Sequence, residues 1–162
     1  MLDTVLFARD KWLTKDGILM PDRAILWLAG VEDEQYKNSI LNFWDNVYDV
    51  KMTSIKKWSG FEPLVDIVKK QQVNTTHCAI LDIDIKTVTV KELDFASKYE
   101  IKATRNDVVH GLVAWFDVYF SHGAESVRLS TSTRYFLYLF DSLFSSLFKG
   151  YSLETNHLLL RR

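Results

Sequence analysis

Apolar residues recur at helical spacing over residues 2–13, where Leu2, Val5, Leu6, Trp12 and Leu13 share one face and Arg9, Asp10 and Lys11 the other. Lys15-Asp16-Gly17 predicts the stop, because glycine tolerates the backbone of a helix end. Ile18, Leu19 and Met20 are extended, and Pro21 holds Met20 so. Residues 24–31 are almost wholly apolar and of strand length, as in a strand buried on both faces. Asp33 is then placed to cap a second helix, residues 34 to about 46, with a broad stripe of Tyr36, Ile40, Leu41, Phe43 and Trp44. Val47, Tyr48, Met52, Ile55 and Trp58 prolong the stripe until Gly60 and Pro63.

Beyond Val73 the period changes to two. Ile83 and Ile85 alternate with Asp82, Asp84 and Lys86, whereas Val88 and Val90 take the opposite phase, predicting a bulge or turn near Thr87. Tyr99, Ile101 and Ala103 predict another strand, and residues 108–120 a central one. The fold class is α+β: a mainly antiparallel, sandwich- or barrel-like β domain with an N-terminal helix, and a helical arm inserted into it.

Composition narrows the function classes. The chain is 48% hydrophobic and 25% charged, as globular domains are, and its net charge of −1 carries no cationic surplus for nucleic acid. Cys78 is the one cysteine, which excludes an internal disulfide and fits a nuclear or cytoplasmic setting. The apolar run over residues 135–148 is shorter than the roughly 20 residues of a membrane-spanning helix, and no secretory leader opens the sequence.

Chemical signatures are sparse. The six glycines are scattered and form no phosphate loop; His77, His110, His122 and His157 lack metal-ligand spacing. Asp82 and Asp84 share a strand face with Lys86, which reads as a solvated surface rather than an acid–base pair. Ser130 to Thr133 has no histidine or acid nearby to activate a nucleophile. The aromatic arm is the informative segment. By pattern alone, Trp44, Tyr48, Met52 and Trp58 suit packing on their own domain and burial against a partner equally well.

Longer motifs break that tie. Leu2-Asp3-Thr4-Val5-Leu6-Phe7-Ala8-Arg9-Asp10-Lys11-Trp12-Leu13 and Gly17-Ile18-Leu19-Met20-Pro21-Asp22-Arg23-Ala24 are followed by Glu32-Asp33-Glu34-Gln35-Tyr36-Lys37 and Trp44-Asp45-Asn46-Val47-Tyr48. Glu62-Pro63-Leu64-Val65-Asp66 and the run from Arg105-Asn106-Asp107 to Trp115-Phe116-Asp117 come next. In that order they resemble the C-terminal portion of type I protein arginine N-methyltransferases, from residue 1 to about 131. The resemblance implies transfer of methyl groups from S-adenosylmethionine to arginine guanidino groups of protein substrates. It implies a Rossmann-like cofactor domain beside a β-barrel, and a homo- or heterodimer made through the arm, with Tyr36, Trp44, Tyr48 and Met52 at its apolar positions.

It also implies four segments. Residues 1–31 join to the cofactor domain, 32–60 are the dimerisation arm, 61–131 are barrel strands, and 132–162 are a divergent tail. The family's acidic-loop glutamates and its Thr-His-Trp loop have no counterpart in this sequence, and Met1 alone matches a residue lining the arginine pocket. No catalytic, cofactor-binding or metal-binding residue is otherwise expected, and the chain alone is expected to bind no S-adenosylmethionine and to be inactive. Two further readings are a non-catalytic module that heterodimerises with a full-length methyltransferase, and a fragment without function. From about residue 133 the likeness ends, and the Phe/Leu/Tyr/Ser bias suggests a foreign reading frame or retained intervening sequence; replacement strands are the alternative.

Overall fold

A computed structural model describes residues 2–60 and 63–132. Met1 and the tail, on which two of the expectations above fall, lie outside the described residues. Helix α1 (Leu2–Trp12) is followed by strand β1 (Arg23–Val31), an arm over residues 32–60, then β2 (Cys78–Asp84), β3 (Gly111–Phe120) and β4 (Val127–Ser130). The strands form one antiparallel sheet in the order β2-β1-β3-β4. The sheet is open, and with α1 and the arm it makes the α+β, barrel-like architecture expected.

β1 is central because it pairs along its length with β3, from Arg23 opposite Tyr119 to Val31 opposite Gly111, and on its other side with β2. Its apolar run therefore buries both faces. On one face Ala29, Val31 and Val113 form a core with Val68, Val73 and Trp115 against it. On the other, Ala24 and Leu81 pack around Ile83, Ile85 and Leu6 of α1. Leu6 is wholly buried. Arg9, one turn further along α1, does not face outward as expected but fastens the helix: its Nη1 donates to the carbonyls of Ile85 (2.9 Å) and Val88 (2.7 Å), whereas Val5 and Trp12 of the expected inner stripe are exposed.

Three further expectations are corrected. The second helix is unbroken over residues 34–45 but not regular: α2 (Glu34–Tyr36) passes into a π-turn (Lys37–Leu41) and a 3-10 turn (Asn42–Asp45), with the short α3 (Thr53–Ser59) after it. Asp33 does cap α2, its Oδ1 accepting from Tyr36 N–H at 2.8 Å. Second, of the bulge or turn expected near Thr87 the turn is present, and Val88 and Val90, which take the opposite phase, form no further strand. Thr87 and Val88 N–H both donate to the Asp84 carbonyl, and Val90–Leu93 is a 3-10 turn capped by Thr89 and Glu92. The bulge lies elsewhere, where Ile80 is extra between Leu26 opposite Leu81 and Trp27 opposite Ala79. Third, residues 99–103 contribute only a bridge between Thr75 and Ala103, and β3 starts at Gly111 rather than Val108. Asn74 explains the late start, because its Nδ2 takes the Val108 carbonyl at 2.9 Å.

Candidate functional site

The arm leaves the sheet at the end of β1 and returns through a 3-10 turn, Lys70–Gln72. Its pieces are short and are held together by contacts between them. Lys56 Nζ reaches Asp45 Oδ2 at 2.5 Å, and Ser59 Oγ donates to the Ile40 carbonyl at 3.0 Å. Between the 3-10 turn and α3, Val47 and Val50 exchange both backbone hydrogen bonds (2.9 and 3.0 Å) across Tyr48 and Asp49. Both central residues have positive φ, 52° and 64°. That is the backbone of a tight I′-like turn, which favours Asn-Gly. Asn46 supports it, its Oδ1 accepting from Asp49 N–H at 2.8 Å. Tyrosine has no local reason to occupy such a position.

The side chain that results is 97% exposed at Tyr48, and Trp58 is 76% exposed. Phe43, Val50 and Ile55 add exposed apolar surface. Phe43 stands edge-on to Trp44 with centroids 5.1 Å apart, and the pair borders a groove of about 340 Å³ with Ile40, Ser39 and Ser59. Of the four arm residues singled out by sequence, Tyr48 is at the tip of a turn, and Tyr36, Trp44 and Met52 are half-buried. Met52 N–H donates to the Trp44 carbonyl, which closes the loop that carries Tyr48. Phe43 and Trp58 belong with them. Phe43 was legible in the helical stripe, and Trp58 closes the same stripe.

A second apolar surface lies on α1, where Val5, Trp12, Leu13 and Leu19 line a groove of about 450 Å³. Phe7 is also exposed, and Lys11 Nζ sits 4.9 Å from the Trp12 ring centroid.

Asp82, Asp84 and His77 are each engaged by neighbouring groups. Asp82 is ion-paired with Arg23, which holds its carboxyl below the ordinary carboxylate range through that hydrogen bond. Asp84 Oδ1 accepts from Lys86 N–H at 2.9 Å, so the two aspartates make no acid–base pair. Asp22 staples β1 to the end of β3, and the N–H of Ser121 lowers its carboxyl likewise. His77 lies against Trp27 and Trp115, and Trp27 Nε1 donates to buried Asp117 at 3.0 Å. No group of three metal-ligating side chains occurs among the described residues, and no described helix is long and apolar enough to cross a membrane. Neither groove suits S-adenosylmethionine. Neither lining holds a carboxylate for its ribose or amino group, and Arg9 is committed to Ile85 and Val88.

Residues 22–136 match the family model described as the arginine methyltransferase oligomerization subdomain. The chain belongs to the protein arginine methyltransferase family. It is 52% identical over 131 residues to protein arginine N-methyltransferase 1 of Schizosaccharomyces pombe, covering 81% of this chain and 38% of that protein. With the enzyme of the same name from Chlamydomonas reinhardtii the identity is 47% over 134 residues, covering 83% and 39%. Among solved structures, the Trypanosoma brucei PRMT1 enzyme-prozyme heterotetrameric complex with AdoHcy matches with TM-score 0.81 at 38% identity, covering 86% of this chain and 47% of that one. Arabidopsis thaliana protein arginine methyltransferase 10 shares the fold at 21% identity and TM-score 0.65, covering 82% and 46%. The chain thus spans about two fifths of the length of the curated relatives it matches, and corresponds to the C-terminal portion of the family. The matched subdomain begins beyond α1.

Proposed function

We propose that residues 32–60 are a docking arm through which this chain joins a second arginine-methyltransferase subunit, homomeric or heteromeric, in the service of protein arginine methylation. One observation carries the reading: a turn suited to Asn-Gly holds Tyr48 instead and leaves it 97% exposed, beside exposed Phe43 and Trp58, in a subdomain whose family description is oligomerisation. Aromatic side chains of this kind dominate binding energy when a partner desolvates them. An interior role for Tyr48 is inconsistent with that exposure.

In this reading the chain supplies the arm and the substrate-side sheet, and the outward face of α1 seats a cofactor-binding domain. The donor of the methyl group, S-adenosylmethionine in this family, binds on that other domain. Titration separates the parts. The isolated chain is expected to show no saturable S-adenosylmethionine binding and no methyl transfer; micromolar affinity would overturn this assignment. Pull-down by a full-length relative tests the arm, with capture expected to fall for Trp44→Ala plus Tyr48→Ala. Unchanged capture by that folded double variant would discard the arm. Added cofactor domain of a relative is expected to slow amide exchange in α1, and unchanged exchange there would remove the seat.

A further inference from the structure

Where β3 pairs with β4, the two faces of the sheet differ in kind. Val118 lies opposite Leu129 and Phe120 opposite Val127, so these four share one face, and the period of two adds Phe116 to them. Asp117, Tyr119, Arg128 and Ser130 take the other face. Phe116 and Val118 also stand opposite Leu26 and Ala24 of β1, which in turn stand opposite Leu81 and Ile83 of β2. The apolar face is therefore the one that α1 covers over β1 and β2, where Leu6 packs with Ile83, Ala24 and Leu81. Over β3 and β4 the same face is open. Phe116, Val118 and Phe120 are half-buried, and Val127 and Leu129 are 57% and 59% exposed. Alternation this clean, polar on one side and wholly apolar on the other, belongs to a sheet whose apolar side is packed.

β4 leads towards a segment whose sequence suits that face. Phe140, Leu143, Phe144, Leu147 and Phe148 recur at helical spacing, and Ser142, Ser145, Ser146 and Lys149 occupy the opposite side of the same period. Asp141 belongs to the first turn of this pattern, Lys149 to the last, and Gly150 follows it, the order in which helices open and close. The spacing predicts an amphipathic helix over residues 140–149, about 15 Å long, against about 13 Å of strand from Phe116 to Phe120. Residues 133–139 link it to Ser132 and can span roughly 25 Å, more than the roughly 10 Å between packed layers.

We propose that residues 140–149 of this chain are the cover: their Phe/Leu side lies on Phe116, Val118, Phe120, Val127 and Leu129 and closes the half of the sheet that α1 leaves open. The face is then withheld from other chains. The cover is independent of the docking arm, which leaves the sheet at Val31, opposite the far end of β3. NMR of the whole chain with labelled Val and Leu methyls tests it. The Val127 and Leu129 methyls are expected to show NOEs to the rings of Phe140 and Phe144. Isotope-filtered spectra of a mixture of labelled and unlabelled chains should lack them. Absence of the contacts in the first sample overturns the proposal. Their presence in the second, or association too extensive to give spectra, overturns it by assigning the face to another copy. Phe140→Ser plus Phe144→Ser is expected to raise the fluorescence of added anilinonaphthalene sulfonate severalfold, whereas Ser142→Asp plus Ser145→Asp should leave it at the wild-type level. Equal dye fluorescence in the two double variants would also refute the cover. The NOE measurement uses neither, so it stands if one of them fails to fold.

Discussion

Replacing Tyr48 by glycine separates the demands of the turn from those of a partner. Left-handed backbone costs a side-chain-bearing residue about 1–2 kcal/mol, which glycine does not incur. Glycine in turn loses roughly 0.5–1 kcal/mol more conformational entropy on folding. With Tyr48 97% exposed, its side chain contributes almost nothing to the isolated fold, so Tyr48→Gly is expected to leave stability unchanged or raise it by up to about 1 kcal/mol. Assembly should respond oppositely. Burying a large apolar side chain stabilises a complex by about 1.5–3 kcal/mol, so its loss weakens docking roughly ten- to a hundredfold. Urea melts of the chain and calorimetric titration into a full-length relative measure the two halves. Tyr48→Phe keeps the apolar body and should bind almost as the wild type does. A folded Tyr48→Gly variant that docks within about threefold of wild type would refute the argument, since burial of this ring cannot be worth so little.

Other perturbations test the scaffold. At Gly30 an added Cβ would lie 2.7 Å from Thr75 Cγ2, and Thr75 is itself buried; Gly30→Ala should cost about 1–3 kcal/mol in urea, with partial rescue by Thr75→Ser. Leu6→Ala removes the wholly buried anchor of α1. It should cost about 2–5 kcal/mol, and a variant as stable as wild type would mean that α1 is not seated on the sheet. Asp82 and Asp22 both titrate below the ordinary 3.8, so the stability they provide is present above that value and lost as pH falls through their lowered ones. Urea midpoints between about pH 5 and pH 2 should drop for the wild type and slope less for Asp82→Asn.

Period decided which elements could be read from sequence. β1 was legible because an unbroken apolar run of strand length has few other uses; α1 was legible as a helix but not its faces, since Arg9, expected outward, is turned inward with Leu6 while Val5 and Trp12, expected inward, are exposed. Over residues 83–90 the phase change located the turn near Thr87 but left a bulge open beside it, because a change of phase looks alike whether it marks a bulge or the end of a strand. Here Ile85 turns into the core while Val88 follows a turn closed on the Asp84 carbonyl. The pairing shift at Ile80 left no trace, since all its neighbours are apolar or small. In the arm, the stripe was visible but not its breaks. A π-turn and a 3-10 turn change the rise by fractions of a residue, too little to disturb a broad apolar stripe. Tyr48 was legible as apolar, and its left-handed backbone was not. The contacts where the arm leaves the sheet were the least visible of all, because Asp33 meets His110 and Gln72 only after the sheet has formed.

Those breaks bear on how the arm binds. The helical run over residues 34–45 changes type twice and α3 has only seven residues, so neither reaches the length at which a helix is stable by itself. The bond from Lys56 to Asp45 is an exposed ion pair, worth little in water. The aromatic residues offer few apolar contacts to each other, Phe43 against Trp44 being the main one. An arm of this kind is positioned by its root and stiffened by the surface it meets, so docking energy is partly consumed in ordering it. Constraints at the root therefore act on affinity even though the root touches no partner. Gln72→Ala, which removes the Nε2 contact to Asp33 outside the apolar surface, should weaken docking severalfold while leaving the grooves intact. Unchanged affinity in that variant would mean the arm is rigid without its root, and that its short turns are stabilised by contacts other than those to the sheet.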